Sequence, residues 1–230
     1  MDIFLMVLII VGGNSKIAFS LLNINRKSGK FKCVYLLSQR DIEVELESAE
    51  SRSVKFIRYA GLSNMLRAID NILACHSVDK KVIVSSGTLS LSRRYSDKKI
   101  LQNSVTSVLS ASKVLGEDHL VKFIIVGSTL VFVPWLSRSR YKDTKLLEFR
   151  LFDMLSQISN NICYVACHPL APASSHLGRF FSIPVDDVAY EIFEIAGLDV
   201  CPSKVIYTGG KLDRFVSRLF FAFSRVLDRL

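Results

Sequence analysis

The hydrophobic positions of this chain follow two alternating rhythms. Short, dense apolar runs rich in Val, Ile, Leu and Phe are each followed by a longer stretch in which apolar residues recur every three or four positions. Runs of the first kind are the pattern of strands buried on both faces, and stretches of the second kind that of helices with one apolar side. Strands are expected at Ile3 to Val11, Lys32 to Ser38, Val54 to Tyr59, Val82 to Val84, Phe123 to Val126 and Ile162 to Cys167. A helix carrying Ile17, Leu21, Leu22 and Ile24 inward should stop near Ser28-Gly29, and another should run from Leu62 to Leu73. Further helices are expected over Leu101 to Leu115, from Tyr141 through Ile158, and from Pro184, whose neighbours Asp186 and Asp187 complement a helix dipole. Regular alternation of strand and helix implies right-handed crossovers, hence an α/β fold: a doubly wound parallel sheet with helices on both faces.

No Pro-, Gly- or Ser-rich stretch divides the chain, so residues 1–208 are expected to form one domain, followed by a C-terminal helical extension over 209–230. At 100° per residue, Phe215, Leu219, Ala222, Phe223, Val226 and Leu230 gather on one face of that extension, with Arg214, Arg218, Arg225 and Arg229 toward the other. An amphipathic helix of this composition fits an anionic membrane surface, the body of its own domain or a second subunit in a homo-oligomer.

Composition narrows the picture. Half of the 230 residues are hydrophobic and 22% are charged, the balance of a folded globular chain. The apolar start has an acidic Asp2 and no basic residue before it, and its run from Ile3 to Val11 is far short of the roughly 20 residues a membrane helix needs. It reads as a buried strand, and a cytoplasmic location follows. Five cysteines, an odd number, fit a reducing compartment. Cys163, Val165 and Cys167 alternate along one expected strand, so the two thiols are expected to be buried small hydrophobes, and no metal site is expected with the neighbouring His168. The net charge of +9 and the pI near 9.4 suit an anionic partner such as nucleotide phosphates or an acidic lipid surface. Nucleic acid is not expected, since no Lys/Arg block carries interleaved aromatics.

Candidate chemistry collects where strands end. The first strand runs into Gly12-Gly13-Asn14-Ser15-Lys16-Ile17, where glycines allow a tight turn and the following helix offers free N–H groups to a pyrophosphate. The G-x-G-x-x-G spacing is absent. After the second strand the first charged residue is Arg40, where dinucleotide-binding sheets face the adenosine ribose; an Arg there accommodates a 2′-phosphate, which favours NADP(H) while NAD(H) is also admissible. Ser85-Ser86-Gly87 ends the fourth strand, Asn103 stands near the start of a helix, and Pro169 begins a stiff loop after the sixth strand. Ser128 is expected just past the end of its strand. Tyr141 and Lys145, four apart, share one helical face. A phenol beside a fixed cation loses its proton more readily, so a pKa of about 10 can fall toward neutrality and serve as a general acid or base.

These pieces, in this order, resemble the short-chain dehydrogenase/reductase family. The Gly12 to Ala18 turn stands in the place of the family's TGxxxGIG, Ser85-Ser86-Gly87 in that of NNAG, and Asn103 in that of the active-site Asn. Tyr141 to Lys145 matches YxxxK, and Ser128 lies thirteen residues earlier. Lys16 and Ala18 depart from the pattern by replacing two glycines, and Tyr59-Ala60 stands where the family has an Asp. The resemblance implies a Rossmann-like fold and hydride transfer between a nicotinamide and a carbonyl or hydroxyl substrate. It also implies roles: Tyr141 as proton donor and acceptor, Lys145 lowering the phenol pKa and holding the nicotinamide ribose, Ser128 hydrogen-bonding the carbonyl, Asn103 holding a water. Gly12, Gly13, Asn14, Ser15, Lys16, Ile17, Arg40, Ser85, Ser86, Gly87 and Pro169 would line the cofactor. The GGNSKIA turn, the SSGTL after the fourth strand and the C-terminal tail look like a branch acting in bacterial surface-polysaccharide and polyprenyl-phosphate-sugar pathways. That implies a sugar or lipid-linked sugar substrate and peripheral contact with the inner face of the membrane. The competing expectation is a regulatory protein on the same fold that binds the cofactor without turnover; such proteins usually lose the Tyr or the Lys, and both are here.

Overall fold

The computed structural model describes residues 6–39, 53–76, 79–86, 121–132, 140–167 and 184–209, and in the tail 214–215, 218–219 and 222. Seven strands, β1 (Met6–Val11), β2 (Cys33–Ser38), β3 (Val54–Arg58), β4 (Lys80–Ser85), β5 (Val121–Ser128), β6 (Ile162–Cys167) and β7 (Val205–Tyr207), form one sheet in the order β3-β2-β1-β4-β5-β6-β7. Every neighbouring pair is parallel. The described helices are α1 (Lys16–Ser28), α2 (Leu62–Cys75), α3 (Arg140–Ile158) and α4 (Val185–Gly197).

Strand alternation sorts the core into two layers. Leu8, Ile10, Val34, Leu36, Val82 and Val84 point toward α1 and α4, where Leu21, Leu22, Val188, Ile192 and Phe193 meet them. Val7, Ile9, Tyr35, Leu37, Ile83, Phe123 and Ile125 point the other way, toward Met65 and Ile69 of α2 and Phe152 of α3. Each such aliphatic side chain contributes about 1.5–3 kcal/mol when fully buried, which is why the central strands read as nearly unbroken apolar runs.

Local signals set the helix ends. Ser15 caps α1, its Oγ accepting the Ala18 N–H at 3.1 Å, and Gly29 closes it at φ 64° with its N–H on the Asn25 carbonyl. Asn25 is buried and clasps the chain beyond that end, donating to Phe31 O at 3.0 Å and accepting from Phe31 N at 2.8 Å. At the far end of α4, Lys122 reaches out of β5 and donates to the carbonyls of Ile195 (3.0 Å) and Leu198. Burial lowers the pKa of that ammonium. Its hydrogen bonds to helix-terminal carbonyls offset part of the desolvation.

Several boundaries differ from the sequence expectation. β4 starts two residues early, at Lys80, and β5 runs from Val121 through Ser128. Lys80, Lys81 and Lys122 break the apolar pattern there, yet Lys81 and Lys122 are buried inside the sheet. Ser128 is thus the last residue of β5, hydrogen-bonded in register opposite Cys167, and not a loop residue beyond it. β7 was not expected: three residues are too few to show a period. The helix expected over Leu101 to Leu115 lies outside the described residues.

Gly127 explains how the end of β5 is shaped. A Cβ at this position would lie 1.8 Å from Cζ and 2.0 Å from the hydroxyl oxygen of the fully buried Tyr164, whose ring crosses beneath the strand. Gly127→Ala should therefore destabilise the protein by about 1–3 kcal/mol. Urea denaturation should show a lowered midpoint, with wild-type stability as the contrary result.

Candidate active site

Between β1 and β4 the sheet changes direction: the chain leaves β1 toward β2 and β3, and leaves β4 toward β5, β6 and β7. Such a reversal opens a crevice at the carboxyl ends of the two strands, because the connections depart to opposite sides. Gly12 and Ser86 stand at its two lips.

Gly12 turns the chain at φ 87°, a conformation that L side chains rarely adopt. The N–H groups of Gly12 and Gly13 both donate to Leu37 O, at 2.9 and 2.8 Å, tying the turn to β2. Gly13 serves packing: a Cβ there would lie 2.9 Å from Leu36 Cβ. Ser86 Oγ lies 3.0 Å from the Val11 carbonyl and 3.2 Å from that of Gly12, and 2.9 Å from Ser15 Oγ. With the Ser86 proton shared between those carbonyls, Ser15 donates to Ser86 and accepts from Ala18, so the helix cap is bolted to β4. Asn14 and Lys16 are exposed on the rim, whereas the Ile17 side chain is buried in the core and leaves only backbone for a ligand. Ser85 is buried at the end of β4. A helix N-terminus behind a glycine at positive φ, with a cation on the rim, is the donor set an anionic pyrophosphate requires, so these residues fit a dinucleotide.

The second half of the site lies at the ends of β5 and β6. Ser128 is buried, and its N–H donates to the Tyr164 hydroxyl oxygen at 3.1 Å. Beyond it the 3₁₀ turn Thr129–Phe132 begins, with Thr129 Oγ1 donating to Cys167 O at 3.4 Å. Lys145 comes from α3 and is only 3% exposed. Its ammonium donates to the Val126 carbonyl, two residues before Ser128, at 3.2 Å and to Glu148 Oε2 at 2.7 Å. An ammonium taken out of water is tolerated only when paired and hydrogen-bonded. Glu148, itself 2% exposed, supplies that pairing.

The nearby thiols are buried in the core and held protonated. Burial pushes Cys167 up to about 12 despite the Lys145 charge, and Cys163 is pushed well up by its hydrogen bond to Cys201 and then by burial. Both are core residues, as their alternation predicts.

Of the residues singled out in the sequence, the structure gathers Gly12, Gly13, Ser15, Ser85 and Ser86 around the reversal, and Ser128 with Lys145 at the end of β5. The Tyr141 backbone lies in the first turn of α3, one turn before Lys145; its side chain lies outside the described residues, as do Arg40, Gly87, Asn103 and Pro169. Glu148 and Tyr164 escaped the sequence reading. Glu148 had a signal, a lone carboxylate three residues after Lys145 among Leu146, Leu147 and Phe149. Tyr164 looked like one more strand residue.

No protein-family model matches the chain, and no curated protein matches it. Solved structures do. A short-chain dehydrogenase from Burkholderia cenocepacia J2315, in complex with NADP, superposes with a TM-score of 0.67 at 14% identity, over 99% of this chain and 97% of that one. The dTDP-glucose 4,6-dehydratase of Bacillus anthracis, in complex with NAD, gives 0.66 at 12% identity over 90% and 76% of the two chains. A ligand-free aldohexose dehydrogenase from Thermoplasma acidophilum gives 0.63 at 13% identity over 89% and 92%. The sheet order, the crossing point at β1 and β4 and these superpositions agree: this chain has the Rossmann-like fold of the short-chain dehydrogenases and reductases.

Proposed function

We propose that the protein is a nicotinamide-dependent oxidoreductase that interconverts a carbonyl and a hydroxyl group. The observation that carries this reading is the buried, charge-paired Lys145, held on the Val126 carbonyl two residues before Ser128 and one helical turn after Tyr141. A core cation at a strand end is costly as mere scaffolding and useful beside a phenol that must give up a proton. Bound across the reversal, NADP(H) or NAD(H) supplies the hydride. The chain's own residues do the rest: the α1 N-terminus and the Gly12 turn bind the pyrophosphate, Ser128 orients the substrate oxygen, and Tyr141 gives or takes its proton. Asn103 completes the set through a water, as in the family the chain resembles. Residues 1–208 form the catalytic domain in this reading and 209–230 an extension.

For the substrate, the neighbouring sugar-acting enzymes and the form of the Gly12 turn favour a sugar or a lipid-linked sugar. Phe215 and Leu219 of the tail are more than half exposed, which favours a surface role for that helix over packing on its own domain. Among the described residues no helix is long and apolar enough to cross a membrane, so contact with the inner leaflet would be peripheral.

Three outcomes are expected. Tyr141→Phe should lower turnover by about 10²–10⁴ with folding and cofactor binding nearly intact, whereas Lys145→Ala should impair both. Reduction of candidate keto sugars, followed at the NADPH absorbance band, checks this, and near-normal turnover by Tyr141→Phe would remove Tyr141 as the acid. Calorimetric titration should show tighter binding of NADPH than of NADH, and Arg40→Asp should narrow or invert the gap; equal affinities in the wild type would refute the phosphate contact. Finally, the full-length protein should sediment with anionic vesicles at low salt, each basic residue near the surface adding about 1 kcal/mol, and deletion of 211–230 should abolish this but spare cofactor binding. A full-length protein that ignores vesicles, or a truncated one that fails to fold, would assign the tail to the core or to a second subunit.

A further inference from the structure

We propose that Glu148 is a positioning residue for the active site: its carboxylate fixes the Lys145 ammonium against the Val126 carbonyl and balances its charge, so that Tyr141 faces a tethered, partly neutralised cation. This inference rests on the reading of Tyr141 and Lys145 given above. The geometry is that of a closed unit. Lys145 and Glu148 are one turn apart on α3, 2.7 Å between Nζ and Oε2, with side chains 4% and 3% exposed. A second bond, 3.2 Å long, locks the ammonium to the β5 backbone. With both ends fixed, the long lysine side chain loses the freedom to follow a substrate or to swing into solvent.

Glu148 is the carboxylate paired with Lys145 at 2.7 Å, and around the neighbouring Cys167 the groups are neutral or paired elsewhere. β6 presents the Cys167 thiol, kept neutral by a pKa of about 12, and the Tyr164 phenol, whose oxygen accepts from Ser128. Just past β7, Thr208 is hydrogen-bonded to Cys167. The 3₁₀ turn presents Thr129. From α4, Glu191 acts on the same Cys167 thiol, but its own carboxylate is paired with Arg214 at 3.1 Å. Lys145 with Glu148 is therefore close to electrically neutral as a unit, and in the proposed site it would act on the Tyr141 phenol as an oriented dipole in place of a bare charge. Glu148 would then set how far the Tyr141 proton is loosened, without touching substrate or cofactor.

The test follows the Tyr141 ionisation directly in the full-length protein, with no substrate. Tyrosines are isotope-labelled at Cζ, and the Tyr141 resonance, identified by its loss in Tyr141→Phe, is titrated by NMR. Lys145→Met should raise the midpoint. Glu148→Gln, which exposes Tyr141 to an unbalanced cation, should lower it by about one pH unit. A midpoint raised by Lys145→Met but unmoved or raised by Glu148→Gln overturns the inference and leaves the Tyr141–Lys145 partnership standing. A midpoint moved by neither overturns both. A purely structural Glu148 would lower the melting temperature of Glu148→Gln without moving the midpoint. Should Glu148→Gln not fold, Glu148→Asp keeps the charge but draws it back by one methylene; a smaller downward shift is expected, and an unchanged midpoint overturns the inference.

Discussion

The sheet is buried on both faces, and it reverses once, between β1 and β4. The first constraint dictates that helices cover both sides and that the central strands carry mostly apolar residues on both faces. The second leaves one place where the covering connections part, so a ligand can reach the backbone ends of central strands without the core being opened. The elements described at the site, the Gly12 turn, Ser86 and the ends of β5 and β6, lie along that one edge of the sheet. The reversal is held by the parallel ladders of β1 with β2 and with β4, and its open end is tied by Gly12 and Gly13 to Leu37 on one side and by Ser15 and Ser86 to Val11 on the other.

How much of this was legible in the sequence depended on whether a signal was periodic. Strands and helices announced themselves through alternation, and so did the burial of Cys163 and Cys167, because burial at every second or every third to fourth position is a statistical property of many residues. Lys81 and Lys122 misled, since a lysine inside a strand breaks the apolar run although both are buried, the head of Lys122 finding the carbonyls of Ile195 and Leu198. β7 was invisible because three residues carry no period. Ser128 was misplaced by two positions for a related reason: Gly127 and Ser128 look like a turn, and only the ring of Tyr164 beneath them shows why a glycine belongs inside that strand. Contacts that join distant parts of the chain, such as Tyr164 to Ser128 or Ser15 to Ser86, have no local signature.

The polar groups of the candidate site are held from behind by further hydrogen bonds within the protein. Ser128 has its N–H fixed by Tyr164, Ser86 by two carbonyls of the β1 end, Lys145 by Val126 and Glu148. Each is buried, so each supporting bond acts in a low-dielectric surrounding where losing a partner is expensive. That asymmetry gives a rigid arrangement from few contacts, and it puts the burden of order on strand ends and the first turns of helices.

The Lys145–Glu148 pair is the point where stability and function part company. Buried ion pairs commonly add nothing over apolar side chains of the same volume, and replacing both partners by hydrophobic residues is often stabilising by about 1–4 kcal/mol. Position 148 lies between Leu147 and Phe149, on a helix that already packs Phe149 and Phe152 against Tyr164 at ring distances of 5.0 and 5.4 Å. A leucine pair at 145 and 148 would extend that layer without any charge to bury. Fold stability therefore gives no reason for either charge, whereas the proposed proton transfer at the end of β5 would use a cation there, and a cation in that core needs a carboxylate. In the proposed reading the pair follows from that chemistry, and the surrounding aromatic layer supplies the packing that lets the helix carry it.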